Sequence, residues 1–376
     1  MTRLHAPDVM SPLPRAGGEL IDAIQRAGLV GRGGAGFPTA VKWRAVAERS
    51  RGQAVIVVNG AEGEPQSKKD RVLMSMRPHL VLDGAFLAAH VLHARRVVLY
   101  IGERHDAARA AMLRALAERP DHDRRITSLV SAPARYVAGH EAAAIHMINE
   151  GVATPTTAPP YPFERGVDGA PTLVQNVETL AHVALVARTG MPSSTSLITM
   201  AGAVAHPGVI EVESGMTIGG AIERAGGAAA SARAVLVGGY FGSWVDMQRG
   251  WNISLDPAAL RQQSLGLGCG VIGVLSHGRC PVCETAGIMR YLAGESSAQC
   301  GPCFFGLRAL ADAVTRIAES GTNGQDLDRL RRWTVDVTGR GACRHPDGAV
   351  IFLQSSLQVF ADEFARHPAH GLRRTA

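Results

Sequence analysis

The chain has 376 residues, of which 46% are hydrophobic and 19% charged, with mean hydropathy near zero, which leaves room for two or three packed domains and excludes wholesale disorder. Its net charge of +6 comes from arginines spread along the chain, and runs such as Arg124-Arg125 and Arg331-Arg332 are too short for a nucleic-acid tract, so no nucleic-acid partner is expected. No stretch reaches the roughly 18 uninterrupted apolar residues of a membrane span, and Met1 to Gly18 lacks the apolar core and cleavage site of a signal peptide, so direct membrane insertion is not expected and a cytoplasmic location is.

From Gly18 to about Gly190, helical stretches such as Glu19 to Ala27 alternate with β-branched runs at Ala54 to Asn59 and Arg96 to Ile101. That alternation predicts an α/β domain (18–190) with a largely parallel sheet. Its sharpest feature is Gly31-Arg32-Gly33-Gly34-Ala35-Gly36-Phe37-Pro38-Thr39, followed by Lys42-Trp43. Glycines at this density let the backbone approach a ligand and aim several N–H groups at an anion. Arg32 and Lys42 add charge, and a helix starting after Pro38 would turn its positive end toward a phosphate. The spacing is neither that of a dinucleotide fingerprint nor that of a P-loop, so by itself it reads as a phosphate loop or as a tight turn. Asn59 and Glu62 follow the apolar run Val55 to Val58, at the end of a predicted strand, where α/β folds place ligands. The Thr- and Pro-rich segment Ala153 to Pro162 reads as an irregular loop.

A second unit (196–246) carries short strands at Ser196 to Met200, Gly208 to Val212 and Ala234 to Val237, a helix start at Gly219-Gly220 and a turn at Gly226-Gly227, the make-up of a small β-grasp module. A third unit (277–376) is helical, with periodic segments at Thr285 to Ala293, Phe305 to Glu319, Leu327 to Val337 and Ala349 to His367.

All six cysteines lie between Cys269 and Cys343. Clustered thiols without an export signal point to metal rather than to disulfides. Cys280-x-x-Cys283 and Cys300-x-x-Cys303, sixteen residues apart, match a generic zinc pattern of two Cys pairs, although the segment between them is helical rather than the short strands of a zinc ribbon. Cys280 and Cys283 also read as packing thiols at a helix start. Cys269 is left unassigned.

Four ordered blocks then combine: Gly31 to Trp43; Val58-Asn59-Gly60-Ala61-Glu62-Gly63-Glu64-Pro65 with Lys69-Asp70-Arg71; Tyr136-Val137-Ala138-Gly139-His140-Glu141; and Pro171 to Thr179. With the cysteine region they resemble the NADH-binding flavoprotein (51-kDa, F-type) family of complex I and related soluble dehydrogenases, over nearly the whole chain. The resemblance implies a flavin-binding α/β domain, a β-grasp module of the soluble-ligand-binding (SLBB) type and a C-terminal helical bundle with an iron-sulfur site. It implies that Gly31, Arg32, Gly33, Gly34 and Lys42 hold the FMN phosphate and ribityl chain. Asn59 and Glu62 would lie beside the isoalloxazine, with Gly139, His140, Asn176 and Thr179 closing the pocket. Phe37, Glu64, Glu141 and Tyr161 would position NAD(P)H.

The resemblance also implies a cluster on Cys300, Cys303 and Cys343, with Ser297 where the family has its first cysteine. That donor set suits a [3Fe-4S] cluster, or a [4Fe-4S] cluster with serine or another fourth ligand, and Cys283 is a candidate replacement. Ala45 and Ala158 stand where the family has an aromatic and a lysine, and Ala61, His140 and Gln175 replace Asp, Glu and Asn. The loss of negative charge at 61 and 140 would admit a 2′-phosphate, and hence NADPH, or a different electron donor. The implied function is electron transfer from NAD(P)H to a ferredoxin, a thioredoxin-like [2Fe-2S] protein or a membrane redox partner. A non-catalytic flavin-binding scaffold is the alternative.

Overall fold

The structure is a computed structural model and describes residues 8–190 and 195–368. The first seven residues of the leader reading and the last eight of the third predicted unit therefore lie outside the described residues. The chain divides into two compact units, Met1–Thr199 with Val209–Ser214, and Met200–Gly208 with Gly215–Ala376.

The first unit is built on four parallel strands, β1 (Ala54–Gly60), β2 (Ala94–Gly102), β3 (Thr127–Ala132) and β4 (Thr172–Asn176), in the order β3-β2-β1-β4. β1 is buried on both faces, as expected of the continuous apolar run of a central parallel strand. Its residues alternate between two cores. Ile56 and Val58 face a cluster with Leu82, Phe86 and Leu180, whereas Val55 and Val57 face one with Tyr100, Ala144 and Val174. β2 and β3 step away from β1 on one side and β4 pairs on the other, so the strand order reverses between β1 and β4. Open α/β sheets bind ligands at the carboxyl ends of strands at such a point.

The helix Pro78–Val91 is buried at every position except His90, so its sequence shows no amphipathic period. It passes so close to the helix Val177–Thr189 that a Cβ at Gly84 would overlap the Leu180 carbonyl. Gly84→Ala is therefore expected to destabilise this unit by about 3 kcal/mol in urea unfolding. Gly287→Ala, a helical position with nothing within 4 Å, is expected to be neutral or stabilising by up to about 1 kcal/mol. Equal effects at the two sites would mean that the helices are not in contact at Gly84.

The unit boundary runs through β5 (Thr195–Gly202), which is followed by β6 (Gly208–Glu213). In the second unit β7 (Ala232–Val237) pairs antiparallel with both β8 (Ser243–Asp246) and β9 (Val271–Ser276). The helix Ile218–Arg224 starts at Thr217, whose hydroxyl accepts the Gly220 N–H at 3.0 Å. Helices Pro281–Gly294, Leu307–Ser320, Gly324–Val337, His345–Val359 and Ala361–Arg366 follow. Leu307, Leu310, Ala311, Val314 and Ile317 form the buried stripe that the period predicted. The last predicted segment, Ala349 to His367, is two helices rather than one. The break is Phe360 (φ −112°, ψ 34°), which is buried edge-to-face against Trp244 with ring centroids 5.5 Å apart. Packing of one aromatic ring outweighs the helical continuity of its neighbours. Among the described residues, no single helix is long and apolar enough to cross a membrane.

Candidate cofactor sites

In the first unit the glycine loop is closed at its base by a bridge between Val30 and Pro38 and by the Gly31 N–H donated to the Phe37 carbonyl at 2.8 Å. Gly34 (φ 124°) and Gly36 (φ 61°) take backbone conformations that side chains resist. Gly33 lies against Asn176, where an added Cβ would stand 3.3 Å from the Asn176 Cβ. The Arg32 N–H donates to Thr179 Oγ1 at 2.9 Å and its Nη1 to Ser196 Oγ at 2.6 Å, while its buried Nε has no partner among the described residues. The helix Thr39–Ser50 begins directly after Pro38, anchored by the buried Trp43.

Lys42, on this helix, donates to the Val174 carbonyl at 2.7 Å and meets the Glu141 carboxylate. Burial pushes its pKa down to about 7. Beside it, His140 caps the helix Glu141–Glu150, its Nδ1 accepting the Ala142 N–H at 3.3 Å. Burial, then the Lys42 charge, lowers the His140 pKa, so its ring is neutral around pH 7.

Asn59 and Asn176 are register partners on β1 and β4. Asn59 Nδ2 donates to the Gly139 carbonyl at 2.8 Å. The Asn176 side-chain oxygen caps the helix Val177–Thr189 by accepting the Glu178 and Thr179 N–H groups at 2.9 and 3.4 Å. Gly31, Arg32, Gly33, Asn59, Gly139, Asn176 and Thr179 thus meet at the strand-order reversal, with Lys42, His140 and Glu141 linked through β4 and the helix Glu141–Glu150. These are the positions that the sequence grouped from four separate blocks.

Other expected site residues are placed differently. The Glu62 carboxylate accepts from Ser67 Oγ (2.7 Å), the Asp70 N–H (2.8 Å), the Arg71 N–H (3.2 Å) and Arg71 Nε (2.8 Å). Those bonds occupy it as the cap of the helix Lys69–Met76. Glu64 is buried and accepts from Tyr136 Oη at 3.2 Å. Phe37 and Tyr161 are exposed on loops, with Tyr161 stacked on Phe163 at 5.5 Å.

The sequence reading assigned no role to the groups beneath the pocket. The Lys69 ammonium is buried 2.6 Å from Asp70 Oδ1 and 2.9 Å from Glu178 Oε2, and Asn176 Nδ2 donates to Asp70 Oδ2 at 2.8 Å. Burial alone would lower the Lys69 pKa, but the two carboxylates outweigh it and hold it above its ordinary value. Burial would raise Glu178, but Lys69 outweighs it and holds Glu178 below the usual carboxylate range. Lys69 therefore fixes Asp70, and Asp70 fixes Asn176 at the pocket edge.

In the second unit, Cys300 and Cys303 precede and enter the π turn Pro302–Gly306 at the start of the helix Leu307–Ser320. The Ala342 N–H points to Cys300 Sγ at 3.5 Å, which brings the next residue, Cys343, to the pair. Burial raises the Cys343 pKa, and the nearby Cys303 and Cys300 add to the rise. Ser297 is turned toward the Gln299 side chain at 3.4 Å, whereas Ser296 Oγ lies 2.9 Å from Cys303 Sγ. Of the two adjacent serines, Ser296 is the one that contacts the thiols.

The residues fit both cofactors. In the first unit, a buried guanidinium nitrogen with no partner among the described residues, a helix start and glycine N–H groups suit a flavin phosphate. In the second, three soft thiols with a neighbouring hydroxyl suit an iron-sulfur cluster. Fold and donor sets together define a flavoprotein oxidoreductase with an iron-sulfur centre.

Comparison with known families agrees. Residues 24–185 match the Nuo51 FMN-binding domain, 197–239 the SLBB domain and 278–367 the NADH-ubiquinone oxidoreductase-F iron-sulfur binding region. The chain is 27% identical to an F-type subunit of the NADH-quinone oxidoreductase of Rhizobium meliloti (strain 1021), covering 93% of this chain and 88% of that one. It is 27% identical to the NADP-reducing hydrogenase subunit HndC of Solidesulfovibrio fructosivorans, covering 94% and 78%. The crystal structure of an NAD+-reducing [NiFe]-hydrogenase in the H2-reduced state superposes with a TM-score of 0.82 at 29% identity. That match covers 94% of this chain but only 63% of the solved chain. The three matched segments, in this order, are those of F-type, FMN- and iron-sulfur-binding oxidoreductase subunits, which the chain resembles over most of its length.

Proposed function

We propose that this chain oxidises NAD(P)H at FMN and passes electrons singly, through a cluster on Cys300, Cys303 and Cys343, to a ferredoxin or a thioredoxin-like [2Fe-2S] protein in the cytoplasm. The functional partition is 18–190 for the flavin and nucleotide, 196–246 as a spacer or docking module, and 277–376 for the cluster. Bound FMN supplies the conversion from hydride donor to one-electron carrier. The chain's own residues bind and orient.

The observation that carries this reading is the convergence of Gly31, Arg32, Gly33, Asn59, Gly139, Asn176 and Thr179 at the β1/β4 reversal. In this reading the loop N–H groups, Arg32 Nε and the start of the helix Thr39–Ser50 hold the phosphate. Lys42 neutralises it, and Asn59 and Asn176 orient the ring. Glu64 and Glu141 accept from ribose hydroxyls, and the exposed rings of Phe37 and Tyr161 stack on adenine. The cluster is [3Fe-4S], or [4Fe-4S] with an oxygen ligand from Ser297 or Ser296.

Neutral Ala61 and neutral His140 favour the dinucleotide with the extra 2′-phosphate. Stopped-flow bleaching of the flavin in anaerobically isolated protein is expected with both nucleotides, with kcat/KM about tenfold higher for NADPH. A preference for NADH would refute the charge argument, and absence of bleaching by either would overturn the dehydrogenase reading.

A further inference from the structure

We propose that Cys280, Cys283 and His367 form a second metal site, built for Zn2+, which ties the C-terminal segment to the start of the helix Pro281–Gly294. The three donor atoms lie within 4.8 Å of one another, and Cys280 Sγ is 4.0 Å from His367 Nδ1. Tetrahedral zinc with two sulfur ligands and one imidazole needs donor separations of about 3.5–3.8 Å, so a contraction of roughly 1 Å or less completes it.

His367 is buried and its ring is already oriented. Nε2 lies 3.3 Å from the Ala318 carbonyl, so the Nε2–H donates there and Nδ1 presents its lone pair to the thiols. Metal-binding histidines are commonly held in this way, with the far nitrogen donating to a backbone carbonyl. The main chain is pinned as well. The His367 carbonyl accepts the Thr322 N–H at 3.0 Å, and the Thr322 hydroxyl donates to the Phe364 carbonyl at 2.7 Å.

On the opposite side, Pro281 opens the helix, and Cys280 Sγ accepts the Cys283 N–H at 3.3 Å. Cys283 is exposed, so the fourth position faces solvent and takes water or an exogenous ligand.

Binding forms two Zn–S bonds and one Zn–N bond, breaks two S–H bonds and releases two protons. Two thiolates and an imidazole in this geometry select Zn2+ among the divalent ions that suit a redox-inert clamp. This proposal differs from the three sequence-based readings of Cys280-x-x-Cys283, as packing thiols, as partners of Cys300-x-x-Cys303 and, for Cys283, as a replacement ligand of the cluster.

The test is metal analysis of the full chain isolated anaerobically with its cofactors, together with Zn2+ and Co2+ titration. One zinc per chain is expected, and Co2+ is expected to give the absorption of a tetrahedral thiolate complex. Cys280→Ser and Cys283→Ser should each remove the zinc and the Co2+ bands while leaving iron and FMN content unchanged. His367→Gln should weaken Zn2+ binding at least tenfold, and His367→Cys should restore it, which separates ligand loss from misfolding. Cys300→Ala should keep the zinc. The proposal is overturned if the wild type takes up no zinc even on titration, if zinc follows Cys300 rather than Cys280, or if iron is lost in Cys280→Ser.

Discussion

Lys69→Met is expected to lower the stability of the first unit by about 3–5 kcal/mol, because it leaves two buried carboxylates without their cation. Asp70 and Glu178 are 2.6 and 2.9 Å from the Lys69 ammonium and both are buried. Asp70 also positions Asn176 (2.8 Å), so the variant should lose FMN as well as stability. The triple variant Lys69→Met, Asp70→Asn, Glu178→Gln removes the charges together and is expected to recover about half of the loss.

The dependence on pH separates the contributors. Glu178 has a depressed pKa, so its contribution is present above the unfolded value of 4.5 and disappears as pH falls through the folded one. Lys69 has a raised pKa, so its contribution is present below 10.5 and is lost as pH rises through its folded value. Asp70, which burial pushes up to about 6 against the pull of Lys69, works in the opposite sense and loses stability as pH rises from 3.8 through 6. In Lys69→Met the two carboxylates can become neutral only by taking up protons. The variant should therefore be markedly more stable at pH 5 than at pH 8, with the difference larger than in the wild type. Urea unfolding at both pH values checks this, and a variant within 0.5 kcal/mol of wild type, on the order of a typical surface substitution, would sink the argument.

The second large effect is on the flavin. Lys42→Met is expected to weaken FMN binding about 100-fold, the worth of one charge-assisted hydrogen bond in a water-poor pocket. With its pKa lowered to about 7 by burial, Lys42 must gain a proton to meet a phosphate anion above that pH. Wild-type affinity should therefore fall as pH rises from 7 to 9, by at most about tenfold per unit, and binding should take up a proton. The slope should vanish in Lys42→Met. Quenching of flavin fluorescence at several pH values measures both quantities, and an affinity independent of pH above 7 would show that Lys42 is already charged, held so by Glu141.

Much of the cofactor chemistry could be read locally. The run Gly31 to Gly36 announces itself because left-handed backbone at Gly34 and Gly36 is a requirement of each residue alone. β1 announces itself because a strand covered on both faces is an unbroken apolar run. The placing of Asn59, His140, Glu141 and Asn176 in one pocket came from the resemblance of four blocks, since nothing in their spacing says that β1 and β4 pair.

The sequence by itself determined an α/β domain with a glycine-rich loop, a small β module and a helical region with clustered thiols, each from short-range patterns, namely glycine density, strand and helix period, and cysteine clustering. That the loop takes a flavin and the thiols a cluster came from the resemblance of the four blocks and the cysteine region. Only the tertiary structure decided that Glu62 caps a helix, that Lys69 is neutralised by Glu178, that Gly84 meets Leu180, that Phe360 breaks a helix against Trp244, and that Cys280 faces His367. Most of these join residues scores of positions apart, and Glu62 is committed by a turn the loop closes on itself. Their energies come from burial and from the pairing of groups that meet only once the sheet and helices have assembled.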